Sequence, residues 1–170
     1  ELALPDKVSA IGTYAYSSCT ALQSVVVPST ACKIGSDAFS RCTSLKSVDL
    51  QNSILGVRCF YGCSALEKVT VKDTAVTCDS AFSGDSGLTL YVEADSGTIP
   101  ESFWYYVSTS DNTKNYASAG FKALIIGEGI TAIGTKAFYQ MQDLESVELP
   151  DSLISIGKHA FNGCSSLINI

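Results

Sequence analysis

The sequence predicts an α/β solenoid, with a parallel β-sheet of short strands on a concave face and short helical or 3-10 turns on a convex face. Two observations predict this fold. A motif of about 22 residues recurs along most of the chain. Each copy has one half that alternates apolar and polar residues, as a strand does, and one half with apolar residues at roughly helical spacing.

The repeat becomes visible when the units are aligned on one aromatic position. Its members, at steps of 23, 21, 22, 56 and 23 residues, are Tyr16, Phe39, Phe60, Phe82, Phe138 and Phe161. Each unit also tends to place Ala one residue and Gly four residues before this position, then Cys three and Leu six residues after it. The exceptions are Cys59 at the Ala position, Cys78 at the Gly position, and Asp85 and Met141 at the Cys position.

The first half of each unit predicts a short strand. In LQSVVVP the β-branched residues Val25 and Val27 alternate with outward positions, and LKSVDLQ, LEKVTVK and LESVELP alternate in the same way, with Val or Leu as the inward residues. Pro28 and Pro150 end their strands, because proline cannot donate to a ladder. Long crossovers join neighbouring strands, so we expect the strands to pair in parallel.

The second half of each unit predicts a single helical or 3-10 turn. A Gly turn and a cap-like Ser36 or Asp37 open this half in IGSDAFSRCTSL. Its apolar residues follow at roughly helical spacing: Ile34, Ala38, Phe39, Cys42 and Leu45. One unit cannot bury these side chains alone, so we expect stacked units to share one continuous core.

The repeat is interrupted once, between Phe82 and Phe138. Two units of ordinary size take about 45 residues, so roughly 11 residues are extra. We therefore predict repeats at 1–92, an irregular insert or array-opening module at 93–120, and repeats at 121–170, within one continuous solenoid. Repeat arrays need polar caps and this chain stops at Ile170, partway through a strand, so we expect it to be a fragment of a longer protein.

The insert contains an unusual run of four aromatic residues: Phe103, Trp104, Tyr105 and Tyr106. Aromatic residues dominate binding hot spots, so the run is a candidate patch for a glycan or a protein groove. The alternative is that these rings plug the core where the array is interrupted. The sequence leaves both interpretations open and favours the second.

The outward residues of the strands form the other candidate surface. Solenoids use their concave face for extended binding, although an ordinary solvated sheet would show the same pattern. The candidate binding surface consists of Ser24, Val26, Ser47, Asp49, Lys68, Thr70, Thr89, Tyr91, Ser146 and Glu148.

Charge and motif content exclude several classes of function. A net charge of -6 and a pI near 4.6 argue against nucleic acid or an anionic membrane surface as the partner. No apolar run approaches the roughly 18 residues of a membrane span, and no signal peptide is visible. The single histidine, His159, has no catalytic partner placed beside it by the repeat. We predict no enzyme activity and no cofactor.

The cysteines are expected to stack. Cys19, Cys42 and Cys63 occupy one position in successive units, so they lie about one strand spacing apart, roughly 5 Å. That spacing is within reach of a disulfide, but zinc sites need clustered CxxC-type spacing, which the chain lacks. The pattern favours a buried ladder of small side chains over a redox or metal site.

The motif as a whole resembles the BspA-like leucine-rich repeat. LQSVVVPSTACKIGSDAFSRCTSL and LESVELPDSLISIGKHAFNGCSSL carry the resemblance, which covers about residues 1–92 and 121–170. It implies an extracellular or cell-surface protein, without catalytic residues, that adheres to a host, cell-surface or matrix protein. We therefore predict a non-enzymatic, cell-surface or secreted adhesion module that binds a protein through the concave face. The alternatives are carbohydrate binding by residues 103–106, or a passive spacer in a larger surface protein.

Overall fold

The computed structural model describes residues 1–28, 32–51, 53–72, 80–93, 97–101, 103–104, 106–107, 114–115 and 120–170, with the backbone alone for 106–107 and 114–115. The strands in these residues are short. They are β1 (Leu2–Ala3), β2 (Ala10–Ile11), β3 (Ser24–Val26), β4 (Cys32–Ile34), β5 (Ser47–Leu50), β6 (Ser53–Leu55), β7 (Lys68–Val71), β8 (Leu88–Val92), β9 (Gly97–Ile99), β10 (Tyr106–Val107), β11 (Lys114–Asn115), β12 (Phe121–Ile126), β13 (Ile130–Ile133), β14 (Ser146–Glu148) and β15 (Ser155–Ile156).

One long parallel sheet confirms the predicted solenoid. Its strands follow the order β1-β3-β5-β7-β8-β12-β14, and every neighbouring pair is parallel. The register aligns the inward residues of successive units, so Val25, Val48, Val69, Leu90 and Leu124 form one buried row. Each unit thus adds one strand to the sheet and one layer to the core.

A second strand in several units forms two smaller parallel sheets. Their orders are β2-β4-β6 and β15-β13-β9. The glycine that follows this second strand lies against the preceding unit: the Gly35 amide donates to the Ile11 carbonyl at 2.8 Å. A Cβ on Gly35 would lie 2.6 Å from the Thr13 backbone nitrogen, whereas one on Gly12, in the first unit, would meet nothing within 4 Å. The repeated glycine is therefore required by the close approach of stacked backbones.

The opposite side of each unit is a chain of turns. None of the described residues is helical, so the predicted helical or 3-10 turn is not shown. Ser40 donates its amide to Asp37 within the turn, at 3.1 Å, but Arg41 donates to Tyr61 of the next unit, at 2.7 Å. Asp37 and Arg41 are both left-handed, with φ of 53° and 59°. A helix needs successive right-handed residues that bond along their own segment, and here alternate amides bond to the neighbouring unit instead.

The aromatic position forms a stack through the core. Successive rings from Tyr16 to Phe82 lie nearly parallel, with centroids 5.1 to 5.3 Å apart. Trp104 continues the stack at 6.2 Å from Phe82, and its amide donates to the carbonyl of Ala137, the residue before the next aromatic position. Trp104 therefore occupies the aromatic position of a unit that begins inside the insert.

The insert leaves the main sheet continuous. β8 and β12, which lie on the two sides of residues 93–120, pair directly, and β9, inside the insert, pairs with β13. β10 and β11 form a separate antiparallel pair. The step from Phe82 to Trp104 is 22 residues and that from Trp104 to Phe138 is 34, so the extra residues follow Trp104.

Candidate binding surfaces

The outward residues of the long sheet form two parallel rows. One row aligns Ser24, Ser47, Lys68, Thr89, Ala123 and Ser146. The other aligns Val26, Asp49, Thr70, Tyr91, Ile125 and Glu148. The structure thus brings all ten predicted surface residues together on one face, as the period-two pattern requires.

These residues differ in how much surface they offer. Lys68 and Glu148 are exposed, and most of the others are half-buried. Thr70 is only 6% exposed, so it contributes little to any contact. The most accessible side chains of the predicted face are therefore Lys68, on the central strand, and Glu148, on the last strand.

A shallow depression of about 280 Å³ lies at the start of the sheet. Its polar lining includes Glu1, Ser24, Ser47, Asp49 and Lys68. Such a volume lies just below the range of about 300–1,000 Å³ that is typical of small-ligand pockets. The depression is therefore better suited to one protruding side chain of a partner than to a large cofactor.

Asp49 forms an ion pair with Lys72. Lys72 Nζ lies 2.8 Å from Asp49 Oδ2. This hydrogen bond raises the pKa of Lys72, and the charge of Glu93 adds to the effect. The other oxygen, Asp49 Oδ1, is buried and has no hydrogen-bond partner among the described residues. Lys72 was not among the predicted surface residues. It follows Thr70 by two residues, so the same alternation places it on the outward face.

A cation–π contact fixes Lys68. Its Nζ lies 4.2 Å from the centroid of the Tyr91 ring. Lys68 belongs to one outward row and Tyr91 to the other, on the neighbouring strand β8. The distance is well within the roughly 6 Å over which a ring attracts an ammonium group. Lys68 and Tyr91 thus form one amphipathic feature that a partner meets as a unit.

The aromatic run of the insert divides between core and surface. Phe103 and Trp104 are 4% and 3% exposed and pack edge-on against Phe138 and Phe121, at 5.8 and 5.1 Å. These two rings are therefore core, which contradicts their assignment to an exposed aromatic patch. Tyr105 lies outside the described residues, and for Tyr106 the structure describes the backbone, in β10.

The cysteine position forms a hydrogen-bonded ladder. Cys42 Sγ donates to the Tyr16 carbonyl at 3.2 Å, and Cys63 Sγ donates to the Phe39 carbonyl at 3.3 Å. Burial raises the pKa of Cys63 to about 12, with a further contribution from the charge of Asp85. These thiols therefore join successive units as neutral donors, as the predicted buried ladder requires, whereas Cys19 in the first unit is exposed.

Asp85 takes the cysteine position of its unit. Its carboxyl is 9% exposed, and neither oxygen has a hydrogen-bond partner of good geometry among the described residues. Burial raises its pKa to about 7, although the amides of Cys63 and Gly62 act in the opposite direction. A buried carboxylate thus stands where other units have a thiol donor.

Metal-ligating clusters and membrane-spanning helices would indicate other classes of function. Among the described residues, no three His, Cys, Asp or Glu side chains cluster so that they could hold a metal ion. The described part of the chain also contains no helix of the length and apolarity that crossing a membrane requires.

The chain matches a family model described as a BspA type leucine-rich repeat region. Six copies match, over residues 1–111 and 109–170. None of the curated proteins matches the chain significantly.

Three solved structures align with 98% of the chain. They are a leucine-rich repeat protein of T. pallidum (19% identity, TM-score 0.47, 77% of that chain covered), one from Bacteroides ovatus (19%, 0.38, 59%) and a leucine-rich cell surface protein from Faecalibacterium prausnitzii (26%, 0.33, 45%).

Proposed function

Because the chain belongs to the family of BspA-type leucine-rich repeat proteins, we propose that it is a non-enzymatic binding module of a secreted or cell-surface protein. Its partner is a protein of a host, another cell or the matrix, and the binding surface is the outward face of the seven-stranded sheet. The family match supports a role in protein interaction, since repeat solenoids present extended surfaces for it.

The alignment of the two outward rows carries this proposal. The register sets Lys68 beside Thr89, and Asp49 beside Thr70, and both rows run through six strands, with one register shift at the start of β12. A partner that lies along the rows meets charges of both signs, at Lys68 near the centre and Glu148 at the far end. Electrostatic complementarity at such positions sets specificity and the association rate more than affinity alone.

The test exchanges charges on this face without touching the core. Lys68 and Glu148 are exposed, so the double variant Lys68→Glu, Glu148→Lys leaves the net charge and the buried rows unchanged. Asp49 is left intact, because removing it would strand Lys72. We expect the double variant to bind host and matrix proteins at least about tenfold more weakly in biolayer interferometry, which corresponds to about 1.4 kcal/mol.

A matched control makes the same charge changes elsewhere. Lys158 and Glu128 are exposed and lie outside the long sheet. The variant Lys158→Glu, Glu128→Lys should bind as the wild type does. Equal binding by the wild type and the sheet-face variant would refute the proposed surface.

A further inference from the structure

A polar groove lies on the turn side of the first three units, away from the sheet face. Its volume is about 270 Å³. The residues that line it are Tyr14, Ser17, Asp37, Ser40, Arg41, Arg58 and Tyr61. No motif of the sequence pointed to it, because its members come from three separate turns.

Hydrogen bonds between the turns hold these residues in register. The amide of Ser18 donates to Ser40 at 2.8 Å, and that of Arg41 donates to Tyr61 at 2.7 Å. Equivalent positions of successive units therefore lie side by side, as residues do along a sheet. These hydrogen bonds fix the backbone positions from which the side chains of the groove extend.

The groove holds a concentration of positive charge. Arg41 and Arg58 are the only arginines of the chain, in a protein whose net charge is -6. Arg58 Nη2 lies 3.1 Å from Asp37 Oδ2, so its charge is compensated. Arg41 is exposed and forms no ion pair with any described residue. One uncompensated guanidinium thus remains for a ligand.

Arg41 occupies a position where its side chain has a conformational cost. Its φ is 59°, in the left-handed region that favours glycine. Three of the equivalent residues are Gly62, Gly84 and Gly163, with φ of 69°, 87° and 84°, and the other two are Ser18 and Gln140, with φ of 61° and 57°. A glycine would fit this turn without strain. Arg41 thus places a cation at the groove at a conformational cost that a glycine would avoid.

The walls and floor of the groove supply the other contacts that a small polar ring requires. Tyr14 and Tyr61 line the groove and are 60% and 38% exposed, and the Arg58 guanidinium carbon lies 6.0 Å from the centroid of the Tyr61 ring. Ser17 Oγ lies 3.0 Å from Ser40 Oγ at the floor. A ring that carries hydroxyl groups can pack its C–H face on a tyrosine and exchange hydrogen bonds with the serines.

We propose that this groove binds a sugar that carries a carboxylate. Arg41 pairs with the carboxylate in the two-pronged geometry that a guanidinium favours. Tyr14 and Tyr61 contact the ring, while Ser17 and Ser40 bond its hydroxyl groups. The site is separate from the sheet face, so it stands or falls independently of the proposed protein partner.

Saturation-transfer NMR with D-glucuronate and N-acetylneuraminate tests the proposal directly. The wild-type chain should transfer saturation to the ring protons of at least one of them. Arg41→Gly should weaken that binding at least about tenfold, because it removes a charge-assisted pair. The same variant should melt no lower than the wild type, because it relieves a left-handed arginine.

Two matched variants control for charge and for aromatic surface. Lys136→Ala removes a cation from an equivalent turn of another unit, one whose Nζ lies 5.8 Å from the Tyr139 ring centroid, and should leave sugar binding unchanged. Tyr61→Phe keeps the ring and should retain saturation of the ring protons, whereas Tyr61→Ala should lose most of it.

Several results would overturn the proposal. They are no saturation transfer from either sugar at about 20 mM, equal binding by Arg41→Gly, and equal binding of D-glucose or of the methyl ester of glucuronate. Displacement of the sugar by equimolar sodium acetate would also overturn it, since it would show a plain anion site without recognition of the ring.

Discussion

Replacing Asp85 with cysteine should stabilise the chain, and the gain should grow with pH. In the units of Cys42 and Cys63 the thiol at this position donates to the backbone carbonyl of the aromatic-position residue in the preceding unit. Asp85 instead buries a carboxyl without a well-formed hydrogen bond. The substitution should therefore restore the ladder, with Phe60 providing the acceptor.

The magnitude follows from the raised pKa of Asp85. Its pKa is about 7 in the folded chain, against 3.8 for an unperturbed carboxyl. At pH below 3.8 the carboxyl is protonated in both states and imposes no ionic penalty. As pH rises to 7 the unfolded chain ionises first, so the folded state loses stability, and the loss levels off above pH 7. At 1.36 kcal/mol per pKa unit the full loss is about 4 kcal/mol at most.

Urea denaturation, followed by circular dichroism with the thiols kept reduced, measures this loss. Asp85→Cys should exceed the wild type by about 2–4 kcal/mol at pH 8 and by much less at pH 4. The gain in free energy of unfolding from Asp85→Asn should also grow with pH, but it should be smaller than the gain from Asp85→Cys. A gain of Asp85→Cys that is equal at pH 4 and pH 8, or a loss at pH 8, would refute the reasoning.

Three further predictions concern the core. Trp104→Ala should lower the free energy of unfolding by about 3–5 kcal/mol in urea titrations, because its ring is buried in the aromatic stack; a cost below about 1 kcal/mol would place the ring outside the core. Gly35→Ala should lower the melting temperature, because its Cβ meets backbone at 2.6 Å, whereas Gly12→Ala has open space and should not; equal effects would contradict the stacking. In a thiol titration Cys19 should react in the folded chain and Cys63 only on unfolding, because Cys19 is exposed and Cys63 is buried; fast modification of Cys63 would contradict the ladder.

The sheet could be predicted because its constraint is local. Each strand alternates inward and outward residues, so the sequence alone assigns Val48 to the core and Asp49 to the surface, and the structure confirms both. The repeat length then implies parallel pairing and register. Repetition converts a local pattern into a long-range contact, which is why so much of this fold can be predicted.

The turn side could not be predicted in the same way. Apolar spacing there resembles that of a helix, but backbone handedness at Asp37 and Arg41 is not encoded by hydrophobicity. Amides that bond between units rather than along the segment decide the conformation. The groove beside Arg41 could not be predicted for the same reason, because alignment of the units places Arg41 level with Gly62 and Arg58 level with Asp37.

The insert shows a different limit. Trp104 follows Phe82 by 22 residues, which is the expected repeat, yet Phe103 stands where most units have Ala. The run of aromatic residues therefore left both a patch and a core open, although it favoured a core, and the burial of Phe103 and Trp104 distinguished the two. Asp85 was visible as a departure from the cysteine position, but the burial of its carboxyl depends on packing.

Hydroxyl-radical footprinting tests the proposed binding face most directly. It compares the chain alone with the chain bound to a host or matrix protein that it binds in biolayer interferometry. Tyr91 lies on the sheet face beside Lys68, whereas Tyr14 and Tyr61 lie on the turn side. We predict that the partner lowers labelling of Tyr91 and leaves labelling of Tyr14 and Tyr61 unchanged. Protection of Tyr14 and Tyr61, with Tyr91 unaffected, would contradict the account.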